Sequence, residues 1–171
     1  FGTDTLGRDV FARCTYGIKM SFVIGIITSA IAMVLGMILG LLAGYFKFLD
    51  NVIMRICESM MAIPSMLMAL ALMAAFGTSM KNVVIALAIV YTPMVARIAR
   101  SSVISVKRQT YVDAIKAQGA GWARILFKHI MPNSLSPVIV QTTYTFASVI
   151  IIEASLSYLG VGVPSVVPTL G

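Results

Sequence analysis

Few residues in this 171-residue chain are equipped for bond-making chemistry. One histidine (His129) and two cysteines (Cys14 and Cys57) cannot complete a zinc site, and two cysteines make no disulfide framework. The twelve methionines carry soft thioethers that suit Cu(I) better than Ni(II), and most lie in apolar stretches where Met fills gaps. No metal ligand is assigned. The chain has no Gly-Lys dipeptide, so it lacks the G-x-x-x-x-G-K-[ST] loop that cradles nucleotide phosphates. No catalytic residue emerges. What stands out is charge in apolar surroundings: Glu153 inside an uncharged stretch, Glu58 three residues after Arg55, and one strongly basic window.

These charges are held by a chain that is 59% apolar and 11% charged, with mean hydropathy +0.96. Soluble domains carry about 25% charged residues, which excludes an ordinary soluble domain and predicts an all-α integral membrane protein built as a multi-span bundle. Four apolar stretches read as spans. Met20–Phe46 runs 27 residues without a charge, and Ser59–Met80 is uncharged but interrupted by Pro64, which bends a membrane helix. Asn82–Ala96 has only 15 residues between Lys81 and Arg97, and the fourth runs from about Pro137 to Tyr158. The chain begins with Phe1 and lacks a signal-peptide pattern, which reads as a piece of a longer protein.

Thirteen Lys and Arg against six Asp and Glu give +7. Arg97, Arg100, Lys107, Arg108, Lys116, Arg124 and Lys128 face only Asp113, so one window holds +6 of it. A basic loop between spans is cytoplasmic by the positive-inside rule, and no motif supports a nucleic-acid partner. Parity then places residues 47–55 in a cytoplasmic loop and both ends outside, with 1–17 as an external segment whose charges Asp4, Arg8, Asp9 and Arg13 nearly cancel. Gly36, Gly40 and Gly44, continuing the pattern of Gly25 and Ser29, form a small-residue stripe for close helix contact. Contact within the chain and contact with a partner subunit remain equally open from spacing alone.

The loop 101–133 is patterned. Tyr111, Ala114, Ile115 and Gln118 share one helical stripe; Trp122, Ile125, Leu126, His129 and Ile130 share another. Gly119 and Gly121 lie between them, where a positive-φ corner is expected, while Pro132 ends the second helix and Ser136–Pro137 starts the next. Two amphipathic helices around a glycine corner need a surface to bury them. Lying on anionic membrane lipid and docking to a partner fit equally well.

Asp113-Ala114, Gly119 six residues on and Pro132 thirteen further resemble the Glu-Ala-Ala motif of ABC importer permeases, with Asp113 for Glu, Ile115 for the second Ala, His129 for Ile and Met131 for Leu. The segment from Phe1 to Arg13 is similar to the external segment after the first span in the C-type permeases of dipeptide, oligopeptide and nickel importers. Ile152–Gly162, which holds Glu153, resembles their fifth span and its outer end. The resemblance covers essentially the whole chain. It implies a MetI-like type I permease fold of six spans, of which about four lie here, with residues 18–171 as a partial transmembrane domain.

The resemblance implies a permease subunit of a prokaryotic inner-membrane importer. Its partners would be a homologous second permease, two cytoplasmic ATPase subunits that use the ATP, and an extracytoplasmic substrate-binding protein. Tyr111, Asp113, Ala114, Lys116, Gly119 and Pro132 would form the segment coupled to the ATPase, and the chain itself would bind no cofactor. Peptide is the leading substrate, with nickel or another metal chelate as the alternative. A stand-alone secondary transporter or channel would want paired intramembrane charges or internal repeats, which are scarce here. Glu153 is read either as a pathway residue or as a packed one, Arg55 and Glu58 as an interfacial ion pair.

Overall fold

The computed structural model describes residues 2–3, 7, 9–163 and 168–170. Asp4 and Arg8, counted in the external segment, lie outside the described residues. Seven α-helices account for the architecture, and no β-strand is found among the described residues.

Helix α1 spans Val10–Tyr45, 36 residues, long enough for about 54 Å. Asp9 starts it: its carboxylate accepts hydrogen bonds from the backbone N–H of Phe11 at 2.9 Å and Ala12 at 3.5 Å, which satisfies amides left orphaned at a helix start. Residues 10–17 are therefore the first turns of α1, and the expected boundary at 17/18 falls inside a helix.

Helices α2 (Lys47–Met61) and α3 (Ser65–Phe76) meet at a 92° bend just before Pro64. The break was expected, but the cytoplasmic loop 47–55 was not found: those residues are helical. Their charges obscured an apolar face in which Met54 and Cys57 are buried and Leu49, Ile53 and Met61 partly so. Gly77, at φ +80°, ends α3, and the Asn82 amide donates to the carbonyls of Phe76 (2.7 Å) and Gly77 (3.0 Å), fixing the turn into α4.

Helix α4 (Met80–Lys107) extends well past the expected Asn82–Ala96. Arg97 and Arg100 do not stop it, because Arg100 finds an acid to pair with, as described below. Among the described residues, three helices (α1, α4 and Trp122–Tyr158) are long and apolar enough to cross a membrane, and the bent α2–α3 pair is a fourth if counted as one.

The glycine stripe is an intrachain seam. An added Cβ at Gly36 would meet Val95 Cβ at 2.6 Å, one at Gly40 would overlap Ala99 Cβ, and one at Gly44 would meet Val103 Cγ1 at 2.6 Å. In lipid, close packing rather than water exclusion holds helices together, so glycine lets α1 and α4 approach to full van der Waals contact. Gly25 serves the same purpose against Phe146 on the final helix.

Candidate functional site

Helix α5 (Thr110–Ala117) sits between α4 and the last membrane helix. It ends in a Schellman turn: Gly119 N–H donates to the Lys116 carbonyl at 2.9 Å and Ala120 N–H to the Ile115 carbonyl at 3.3 Å. That geometry places Gly119 at φ +82°, so the expected glycine corner exists there. Gly121 has φ −66° and plays no part in it.

The inward face of α5 differs from the expected stripe. Val112 is fully buried, with Tyr111 and Ile115 partly so, while Ala114 and Gln118 are exposed together with Asp113, Lys116 and Ala117. The helix thus presents a small, polar outer face around Asp113-Ala114. Val112 was missed because the apolar spacing of Tyr111, Ala114 and Ile115 fits a helical stripe equally well, and Ala contributes little area to bury.

What holds α5 in place is a short polar relay. The Tyr111 hydroxyl donates to the His129 carbonyl at 3.4 Å, and the Asn133 amide donates to the Tyr111 hydroxyl (3.2 Å) and to the same carbonyl (2.7 Å). His129 lies in a widened π-helical turn, Ile125–Ile130, inserted between α6 (Trp122–Arg124) and α7 (Met131–Tyr158). The chain runs helically through all three. Pro132 therefore does not end a helix, and Ser136–Pro137 starts none. A proline lacks the N–H and crowds the preceding turn, and the wider turn just before Pro132 accommodates both defects. The loop proper shrinks from 101–133 to residues 108–121.

The two charges of α5 pair with each other: Lys116 Nζ lies 2.8 Å from Asp113 Oδ1, with both side chains exposed. Arg55 and Glu58, by contrast, form no ion pair. The acid of α2 that finds a base is Asp50, which takes Arg100 of α4 in a two-pronged contact with Nη2–Oδ2 at 2.6 Å. A planar guanidinium matches a carboxylate this way, and Glu58, eight residues after Asp50, lies about 80° further round α2, which decides which acid faces α4. The only sequence signal was an Asp and an Arg set near the ends of apolar runs.

Glu153 is fully buried on α7. It accepts hydrogen bonds from Ser21 Oγ of α1 at 2.9 Å and Ser157 Oγ at 2.8 Å, and Ser21 Oγ in turn accepts from Leu170 N–H at 3.3 Å. In this conformation Glu153 is enclosed between helices rather than facing an open path. No cluster of three or more His, Cys, Asp or Glu suited to a metal ion occurs among the described residues.

Residues 32–171 match the family model described as binding-protein-dependent transport system inner membrane component. The chain belongs to this family of permeases. It is 46% identical over 171 residues to the probable peptide ABC transporter permease protein y4tQ of Sinorhizobium fredii, covering 100% of this chain and 59% of that one. It is 44% identical to the dipeptide transport system permease protein DppC of Alkalihalophilus pseudofirmus, covering 100% and 57%. The glutathione transport system permease protein GsiD of Pectobacterium atrosepticum is 41% identical, over 99% of this chain and 57% of its own length. The chain thus spans less than three-fifths of these relatives. The crystal structure of an amino acid ABC transporter with histidines superposes with a TM-score of 0.67 at 20% identity, over 84% of this chain and 70% of that one. At that identity the likeness establishes the shared permease fold. Helices of this length in an inner membrane component make the protein a multi-pass plasma-membrane protein.

Proposed function

We propose that this chain supplies part of the permease of an ATP-driven importer whose substrates are peptides. The observation that carries the reading is α5: a short helix set on a positive-φ glycine turn, anchored inward by Val112 and Tyr111, with Asp113, Ala114, Ala117 and Gln118 left exposed. A helix built to be rigid underneath and open above suits a mechanical contact. The exposed face would seat in a cleft of a cytoplasmic ATPase subunit, and ATP-driven closure of the ATPase pair would pull α5 and move α4 and α7 with it.

On this reading the chain binds no cofactor of its own and the ATP belongs to the partner subunits. A homologous second permease and an extracytoplasmic binding protein complete the assembly. The basic loop faces the cytoplasm, as the positive-inside rule requires. The relatives named for peptide, dipeptide and glutathione transport favour peptides over nickel. Uptake of a labelled dipeptide into vesicles carrying the full-length protein and its partner subunits tests the reading. Uptake should require ATP and fail when Ala114→Arg places a bulky cation on the exposed face. Uptake indifferent to both would overturn it.

A further inference from the structure

A cavity of about 480 Å³ opens where the end of α1, the start of α2, the end of α4 and α5 converge. Its charged lining is Lys47, Lys107, Arg108 and Lys116 against Asp50 and Asp113. Both acids are already engaged, Asp50 by Arg100 and Asp113 by Lys116 at 2.8 Å. Lys107 is partly engaged too: its ammonium donates to the Tyr45 carbonyl at 2.6 Å and stands 4.7 Å over the Tyr45 ring. Lys47 and Arg108 are exposed and have no ion-pair or hydrogen-bond partner for their side chains among the described residues. Three cations around one cavity therefore lack a carboxylate.

The depth of the cavity is marked independently. Tyr45, which lines it, packs edge-on against Phe46 at 5.0 Å, and Phe46 against Trp122 at 5.7 Å. Trp122 and the neighbouring Phe48 are exposed, at 56% and 81%. An aromatic girdle with flanking Lys and Arg at the ends of two membrane helices marks the headgroup level of a bilayer. Phosphate is the anion available there in quantity, and a basic pocket between membrane helices on the cytoplasmic side suits an anionic headgroup.

We propose that this cavity binds the phosphate of an anionic phospholipid, held by Lys47 and Arg108 with Lys107 behind them, and that the lipid straps α5 to the ends of α1 and α4. The chemistry required is a phosphate-bearing anion; its source is the bilayer. The binding rests on the cytoplasmic placement of this end of the bundle proposed above and does not depend on what the permease carries.

The test uses the full-length protein purified from membranes, with bound lipid counted by native mass spectrometry. Phosphatidylglycerol should be retained at concentrations at which phosphatidylcholine is not. At about 1 kcal/mol for each basic residue near the surface, Lys47→Gln with Arg108→Gln should weaken that retention about 30-fold. The equally charge-reducing pair Arg124→Gln with Lys128→Gln, which lies outside the cavity, should leave it unchanged. Three results overturn the proposal. Equal retention of the two lipids would show no anion site, and equal loss in both variant pairs would show diffuse surface charge. Displacement of phosphatidylglycerol by equimolar inorganic phosphate would move the site from lipid to soluble anion.

Discussion

Glycine does opposite work at two places in this molecule. In the α1–α4 seam, Gly36, Gly40 and Gly44 have ordinary helical backbones and no room for a Cβ. At the end of α5, Gly119 has open space around it, with nothing within 4 Å of an added Cβ, but a backbone at φ +82°. The seam needs glycine for its volume, the corner for its conformation. The first is a demand of packing in lipid and touches the whole bundle. The second is local and concerns one short helix. Variants at the two sites should therefore fail differently, and that difference is testable.

The largest effect is expected at Gly40. A side chain there would overlap Ala99 Cβ and press on the Ala96 carbonyl at 2.8 Å and the Arg100 amide at 2.9 Å. Two of those three neighbours are backbone, which cannot swing aside. Overpacking costs typically 1–3 kcal/mol, and a helix backbone that must move puts Gly40→Val at or above about 3 kcal/mol. Thermal unfolding of the purified protein should show it; an unchanged melting curve would mean that α1 and α4 are further apart than described.

Next comes Asp50→Asn. The pair with Arg100 is partly buried, with side-chain exposures of 19% and 34%, so it lies between surface pairs and buried ones. Loss of the carboxylate should cost about 1–2 kcal/mol, less in high salt. A double-mutant cycle with Arg100→Gln isolates the coupling. The same cycle on Arg55 and Glu58 should give nothing, which would confirm that α4 selects Asp50.

The seam was legible in the sequence as a stripe and the corner as a glycine, because both rules are local: four-residue spacing and helix-end chemistry. What was illegible depended on partners distant in the chain. Spacing could not say which helix the stripe would meet, and the structure answers with Val95, Ala99 and Val103. Charge ended the predicted spans too early, since Arg100 stays helical once Asp50, fifty residues away, pairs with it. The two prolines misled for a related reason. Pro132 and Pro137 ordinarily bound a helix, but a widened turn and the contacts of α7 with α1 and α4 carry the helix through them. Glu153 was visible as an anomaly, and its hydroxyl partner Ser21, 132 residues earlier, was not.

Gly119→Val tests the corner. A left-handed backbone costs a residue with a Cβ about 1–2 kcal/mol, and a β-branched one resists it most. With no neighbour to clash with, the cost stays local: the α1–α4 seam should be intact and membrane insertion normal, while α5 loses its Schellman turn. ATP-driven uptake should be abolished at near-normal protein levels. Gly119→Asn, which tolerates positive φ, should retain more uptake than Gly119→Val. Equal uptake by both variants would mean the turn conformation is irrelevant.

The smallest stability effect is expected at Asp113→Asn, and for that reason it is the cleanest probe of what α5 does. Its pair with Lys116 is exposed on both sides, and such pairs contribute about 0.2–1 kcal/mol at most. The melting temperature should therefore barely move, and Val112 and Tyr111 continue to hold the helix. If the outer face of α5 is a docking surface, removing its one carboxylate should still reduce ATP-driven uptake several-fold, because a charge recognised by a partner is lost without any loss of fold. Lys116→Gln separates the two roles. It breaks the same pair while leaving Asp113 free, so a pairing role predicts the same defect in both variants and docking through the Asp113 carboxylate predicts the defect in Asp113→Asn alone.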